Sequence, residues 1–246
     1  MSSQPKLVLH VVPFSHPCLA VSAALDRLGY EYSTVELATG RHQEEVEKVY
    51  GEGRRTVPGL LVDDEPVHGT AAIFARLGEL QPDDGLYPAE RGEAVRELEA
   101  GLAEDLQTAA RVLIFGALHF RPESMGTFAG IAQLDPAGVD FAIKTMRATW
   151  RYLEIDAQRV HATLQALPGQ LDTVDALLDE GTIGGDRPNA ADFQLGSSLR
   201  MLVQIGDVRP LVAERPAARL LSLFEPGKAD VPAGAFPSGW TPSTRS

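Results

Sequence analysis

Cysteine is nearly absent from this chain: Cys18 is the only one among 246 residues. No intrachain disulfide can form, and no multi-cysteine zinc or iron–sulfur centre can be assembled. A chain of this kind suits a reducing compartment, and the expected location is the cytosol. Basic residues are also in deficit. Lys and Arg total 22 against 34 Asp and Glu, a formal charge of −12. A nucleic-acid binder, or a protein that seats on anionic membranes, needs a basic face, so neither partner is expected. No apolar run approaches the roughly 18 uncharged residues of a membrane helix. The opening MSSQPKLVLHVVPF lacks an apolar core followed by a small-residue cleavage site and reads as a first strand. No H-x-x-x-H, H-E-x-x-H or EF-hand loop occurs, so no metal is expected, and no glycine-rich phosphate loop points to a nucleotide. What is present, 44% hydrophobic and 23% charged residues, is an ordinary globular mixture with the length of one large or two small domains.

The hydrophobic period changes repeatedly over the first eighty residues. Leu7 to Val12 is an apolar run of strand length, Cys18 to Leu28 suits a packed helix ended by Gly29, and Tyr30 to Leu37 alternates as a second strand. Strand, helix and strand in so short a span make a βαβ unit with a parallel pair. His42 to Tyr50 reads as a polar helix, Val57 to Val62 as a strand that opens with proline, Pro66 to His68 as a fourth strand, and Thr70 to Leu80 as a helix with Ile73, Phe74 and Leu77 on one side. Residues 81–90 are rich in Pro, Gly and Asp and read as a linker. Beyond them the period is helical: Arg91 to Phe115, Asp135 to Leu167, Thr173 to Glu180, Ala190 to Ile205 and Pro216 to Phe224. The expected organisation is a βαβ-α-ββα domain over 1–80, the linker, an all-helical domain over 91–225 and an extended proline-rich tail over 226–246. No internal repeat is present.

Two local signals carry chemistry. A strand, a short loop and a helix N-terminus form a general anion site, because free N–H groups and the helix dipole face the loop. The loop here is Pro13-Phe14-Ser15-His16-Pro17-Cys18. Ser15 stands where a hydroxyl can donate to a thiolate, and equally where it can simply cap the helix. The second signal is Thr56-Val57-Pro58 before a buried strand. A cis peptide there turns the N–H and C=O of Val57 outward, free to pair with a peptide-like ligand.

The order of elements and the Val-Pro strand opening resemble the cytosolic glutathione transferase family over nearly the whole chain. Ser15 stands fourteen residues before Gly29, the spacing of the reactive first-loop residue in thioredoxin-like members. Ser15-His16-Pro17-Cys18 thus occupies the place of a C-x-x-C motif with serine first, which resembles serine-type transferases. Gly69 and Thr70 occupy the family's acid–serine pair, twelve and thirteen positions after Val57. Thr70 keeps the hydroxyl; Gly69 lacks the acid. In the second domain, Gly184 to Phe193 resembles the family's buried capping box, with Asn189 as N-cap and Asp192 at N3. Leu86-Tyr87-Pro88 also fits the family's linker.

The resemblance implies a homodimeric enzyme in which glutathione, or a similar small thiol, is the co-substrate. Ser15 and the first helix N-terminus stabilise its thiolate for attack on a small hydrophobic electrophile. Val57, Pro58, Gly69, Thr70 and Arg55 are the implied glutathione contacts. Phe14, Arg111, Phe115 and His119 are the implied electrophile walls, though packing or surface roles suit Phe115 and Arg111 as well. Arg54, beside Arg55, and His42 lie in loops that approach the glycine carboxylate in relatives. His16 and His161 read as surface or helix residues and His10 as a satisfied core histidine. His68 directly precedes Gly69 and is offered as a substitute contact for the missing acid. Cys18 reads as a small buried hydrophobe or, alternatively, as the thiol of a thiol–disulfide oxidoreductase. A third alternative is a non-catalytic binding protein that keeps the fold, and Gly69 is the feature that favours it.

Overall fold

The computed structural model describes residues 4–38, 41–82 and 85–243. Residues 83 and 84 of the expected linker and the last three of the expected tail lie outside the described residues. The chain divides into two compact units, Met1–Ala103 with Gly181–Ser197 and Glu104–Glu180 with Ser198–Ser246.

The first unit begins β1 (Leu7–Val11), α1 (His16–Arg27), β2 (Tyr32–Glu36), α2 (His42–Tyr50), β3 (Gly59–Val62), β4 (Glu65–His68) and α3 (Thr70–Leu80). The strands lie in the order β2-β1-β3-β4, with β1 parallel to β2 and β3 antiparallel to both β1 and β4. Two-residue alternation sorts the side chains. Leu7 and Leu9 pair with Val62 and Leu60, and all four are buried on one face. α3 packs on β3 and on α1, burying Val21, Leu25, Ile73, Phe74 and Leu77. The opposite face receives α2, whose Val46 and Tyr50 cluster with Leu37 against Val12, Val57 and Leu61. α1 stops where Gly29 takes a left-handed φ of 72°, and Tyr30 N–H then reaches back to the Leu25 carbonyl at 3.0 Å.

The expected single helix over Arg91–Phe115 is instead α4 (Gly92–Leu98), a π-helical turn (Glu99–Ala103) and α5 (Glu104–Phe120). The turn sets Glu99 inside the first unit, 5% exposed. There the Tyr87 hydroxyl donates to it at 2.7 Å and the Gln194 amide at 2.5 Å. The capping box at the start of α9 (Ala190–Leu202) closes as its residues suggest. Asn189 N–H donates to the Asp192 carboxylate at 2.8 Å, and Asp192 N–H donates back to the Asn189 side chain at 3.2 Å. Asp192 also accepts Gly184 N–H at 2.6 Å, so this buried carboxylate ties the preceding loop to the helix.

The second unit is helical. α5 packs along α7 (Pro136–Tyr152) and α8 (Ala157–Asp179). Gly116 of α5 lets α8 approach; a Cβ there would meet Val160 at 2.9 Å. The expected continuous helical region Asp135–Leu167 breaks between α7 and α8, where Glu154 takes φ 53° and Asp156 caps α8 by accepting Arg159 N–H at 2.7 Å. Between α5 and α7 stand a 3-10 turn (Pro122–Ser124) and α6 (Met125–Phe128), and after α9 come α10 (Arg209–Ala213) and a 3-10 helix (Pro216–Leu223). The described residues of the tail form no helix, yet they are packed within this unit. Val231 pairs with Ile205, the Asp207 carboxylate accepts the N–H groups of Gly234, Ala235 and Phe236, and Trp240 lies against His161 and Phe120.

Burial raises the Glu99 carboxyl to about 7, against the opposing pull of Tyr87, Arg96 and Gln194. The folded state therefore holds this proton more tightly than the unfolded chain. Its contribution to stability is complete below pH ~4.5 and is lost as pH rises toward 7, by about 3 kcal/mol at ~1.4 kcal/mol per pH unit. In Glu99→Gln, stability measured by urea denaturation is expected to lose most of this decline between pH 5 and 8. An unchanged slope would assign it to other groups.

Candidate functional site

The antiparallel placement of β3 decides which parts of the chain meet. β1 ends, β3 begins and β4 ends at the same edge of the sheet, because His10 pairs with Gly59 and Gly59 with His68. The loop after β1 carries Ser15, the segment before β3 is Val57-Pro58, and Gly69-Thr70 follows β4. Three segments far apart in sequence thus gather at one sheet end, beside the N-termini of α1 and α3.

Ser15 is the N-cap of α1, in extended backbone with φ −75° and ψ 110°. Its Oγ accepts Cys18 N–H at 3.4 Å. A hydroxyl accepts and donates at once, so the capping contact leaves the Ser15 proton available. The residue is half-buried, the first turn of α1 carries no acid, and its dipole favours negative charge at the loop. Phe14 immediately before it takes a left-handed φ of 64° and is 53% exposed. Non-glycine residues adopt that conformation uncommonly. It turns the chain so that the Phe14 ring faces solvent and Ser15 enters the helix.

The Val57-Pro58 peptide is cis, as the family resemblance implies. Val57 is half-buried, and Pro58 C=O accepts Gly69 N–H at 3.0 Å, which ties the β3 entry to the α3 entry. Gly69 has φ 90°, and a Cβ built on it would meet nothing within 4 Å, so the space beside the α3 N-terminus is open. Neither a side-chain cap nor a first-turn acid occupies that N-terminus, and Thr70 is its first residue. Arg55 is exposed and pairs with Glu47 of α2 at 3.8 Å.

Arg111, Phe115 and His119 follow one another at four-residue spacing on α5, so they share one face of the second unit, and each is half-buried. His119 stacks on Trp150 with ring centroids 3.6 Å apart, and Trp150 Nε1–H donates to the Phe115 carbonyl at 2.9 Å. Burial and the charge of Arg147 push the His119 imidazole below its usual range, which keeps the stack neutral. Neither Arg111 nor Arg147 forms an ion pair among the described residues. The family resemblance named these three residues of α5; Trp150, which packs on His119 from α7, has no local signal.

Cys18, one turn into α1, is 4% exposed. Burial pushes its thiol up to about 11, opposed by contacts with Ser15 and the Val12 backbone. A redox-active first-loop cysteine needs the opposite, an exposed thiol with a lowered pKa. Among the described residues, no group of three or more His, Cys, Asp and Glu could hold a metal ion. No described helix is long and apolar enough to cross a membrane.

Residues 9–85 match the family model described as glutathione S-transferase, N-terminal domain. Solved structures extend the likeness to the rest of the chain. A glutathione S-transferase from Methylobacterium radiotolerans, in complex with glutathione sulfonate, is 18% identical, covers 98% of each chain and superposes with a TM-score of 0.58. A rice GST in complex with glutathione is 17% identical over 90% of this chain and 86% of its own, with a TM-score of 0.55. A beta-etherase from a Sphingobium species is 14% identical over 91% and 90%, with a TM-score of 0.59. No curated protein matches.

The state of Cys18 is directly measurable. The folded protein is expected to react with iodoacetamide at pH 7.5 at less than about one-hundredth of the rate of a free thiol, whose pKa is near 8.5. Unfolding in urea should bring the reaction to the free-thiol rate. Rapid alkylation of the native protein, followed by mass spectrometry, would contradict the burial and return Cys18 to the candidate thiols.

Proposed function

Residues 9–85 belong to the glutathione S-transferase N-terminal domain family and the chain takes the glutathione S-transferase fold, and from that premise we propose that the protein binds glutathione, or a closely similar thiol, as the thiolate. The observation that carries the reading is the place of Ser15: a half-buried helix cap whose oxygen accepts Cys18 N–H, a contact that does not use the hydroxyl proton. Glutathione and its sulfonate in two of the similar structures support the choice of thiol.

In this mechanism the Ser15 O–H donates to the thiolate sulfur, and the dipole of α1 adds to its stabilisation. Both favour the anion over the thiol, so a larger fraction of bound ligand is nucleophilic at neutral pH. The backbone of Val57 pairs with the peptide part of the ligand, Pro58 and Gly69 shape the cleft, and the open N-terminus of α3 with Thr70 receives a carboxylate. Arg55 is assigned to the opposite carboxylate, exchanging its Glu47 partner for the ligand. The sulfur then attacks a small hydrophobic electrophile: the S–C bond forms, the leaving group departs with the electron pair, and Ser15 never loses its proton. The residues proposed for contact with the electrophile are Phe14 and, on α5, Arg111, Phe115 and His119. A homodimer is proposed as the working assembly.

One observation favours a second reading. Gly69 places no acid beside the α3 N-terminus, and the family's ligand amine has no side-chain partner from that position. A protein that keeps the fold as a binding module would tolerate this. Calorimetry at millimolar glutathione separates the two, because the module reading expects no heat of binding.

Ser15→Ala is expected to lower kcat/KM with a chromogenic electrophile by one to three decades, as loss of an oxyanion donor does. The titration midpoint of bound thiol, followed by thiolate absorbance, should rise with it. Turnover equal to wild type would remove Ser15 from the mechanism. Sedimentation equilibrium is expected to give twice the 26.5 kDa chain mass at micromolar protein; the chain mass itself would refute the dimer.

A further inference from the structure

His10 of β1, Gly59 of β3 and His68 of β4 stand in one row across three adjacent strands and point to the same face of the sheet. The middle of that row has no side chain, and the ring of Tyr50, the last residue of α2, fills the place. A Cβ on Gly59 would lie 2.3 Å from Tyr50 Cζ, so only glycine admits the ring. Tyr50 is thereby set between two imidazoles. It lies edge-on to His10 at 5.5 Å between centroids and tilted against His68 at 5.7 Å. Its hydroxyl shares a 2.7 Å hydrogen bond with His10 Nδ1, and both groups are buried. Burial pushes His10 down and Tyr50 up, so the pair stays uncharged. Nothing in the mechanism above uses this column of rings.

Its outer end does reach one element of the cleft. His68 Nε2 lies 2.8 Å from the Thr56 carbonyl. A carbonyl only accepts, so Nε2 carries the proton and donates. Regular β pairing in this strand begins at Gly59, and Pro58 has no N–H to give. Residues 51–56 are exposed. The entry to β3 is therefore held by two bonds from consecutive residues, His68 Nε2–H to Thr56 C=O and Gly69 N–H to Pro58 C=O. Val57, whose backbone is to meet the ligand, is suspended between them.

We propose that His68 is a positioning residue for the thiol site: its imidazole, braced by Tyr50 and His10, fixes the Thr56 carbonyl and so sets the backbone of Val57 for pairing with the peptide part of the ligand. The role builds on the function proposed above, because it matters to binding only if glutathione or a similar thiol occupies the cleft. It acts through the Thr56–Val57 backbone, and His68 makes no contact with ligand or reacting atoms.

The test uses two variants of the full chain. His68→Phe keeps a ring against Tyr50 and removes the donor; His68→Gln keeps an N–H near the position of Nε2 and removes the ring. Two quantities are read: hydrogen exchange of the peptide covering residues 54–57 in the free protein, and glutathione affinity by calorimetry. In His68→Phe, exchange of that peptide is expected to quicken at least about fivefold and affinity to fall about three- to tenfold, the scale of one hydrogen bond. His68→Gln should recover most of both. Wild-type exchange in His68→Phe would overturn the proposal. So would equal impairment in the two variants, since the N–H kept in His68→Gln would then recover nothing. If wild-type protein binds no glutathione, the functional reading fails on that result, while the exchange measurement still decides whether His68 positions Val57. Should His68→Phe fail to fold, the same exchange comparison between wild type and His68→Gln decides: faster exchange in His68→Gln would overturn the claim that the donor suffices.

Discussion

β3 runs antiparallel to the strands on both sides of it, and the rest of the first unit depends on that arrangement. A strand parallel to β1 in this position would place the Val57-Pro58 segment at the far end of the sheet from Ser15. Reversed, it starts where β1 stops, and β4 returns to the same edge. The N-termini of α1 and α3 then lie beside one cis Val-Pro peptide. Each helix start presents the positive end of its dipole. The chemistry proposed for the protein is thus a product of topology before it is a property of any side chain. In that proposal Ser15 refines what the backbone arrangement brings together.

Much of this was legible in the residues. α2 and α3 have the bounds that periodicity assigns them, His42–Tyr50 and Thr70–Leu80. The Val-Pro strand opening is cis, and Asn189 and Asp192 exchange the two hydrogen bonds that a capping box requires. These features share a cause. Each is decided within a few residues, by a helical repeat, a turn former or a side chain reaching its own backbone. α1 starts earlier than the apolar period suggests because Pro17 is tolerated in a first turn, where no N–H is needed.

What escaped the sequence is non-local. The π-helical turn at Glu99 depends on Tyr87 and on Gln194, which is distant along the chain, and periodicity reports neither. Trp150 meets His119 only through the packing of two helices. The tail has the composition of an extended arm, yet the carboxylate of Asp207 gathers three of its N–H groups and holds it down. The row of His10, Gly59 and His68 requires the register of three strands, which no single segment contains. In the candidate site the same boundary applies. Ser15 and Val57-Pro58 could be picked out by position, whereas their common edge, and the burial that quiets Cys18, belong to the folded state.

The fit of the Tyr50 ring over a bare Gly59 backbone also bears on how this chain can vary over evolutionary time. Position 59 can acquire a methyl group only where position 50 has surrendered its aromatic ring, since the two would otherwise occupy the same space. The histidines at 10 and 68 would then face a void, and the end of α2 would lose its anchor on the sheet. Descendants are thus expected to retain this foursome intact or to replace it as a set, with few viable intermediates.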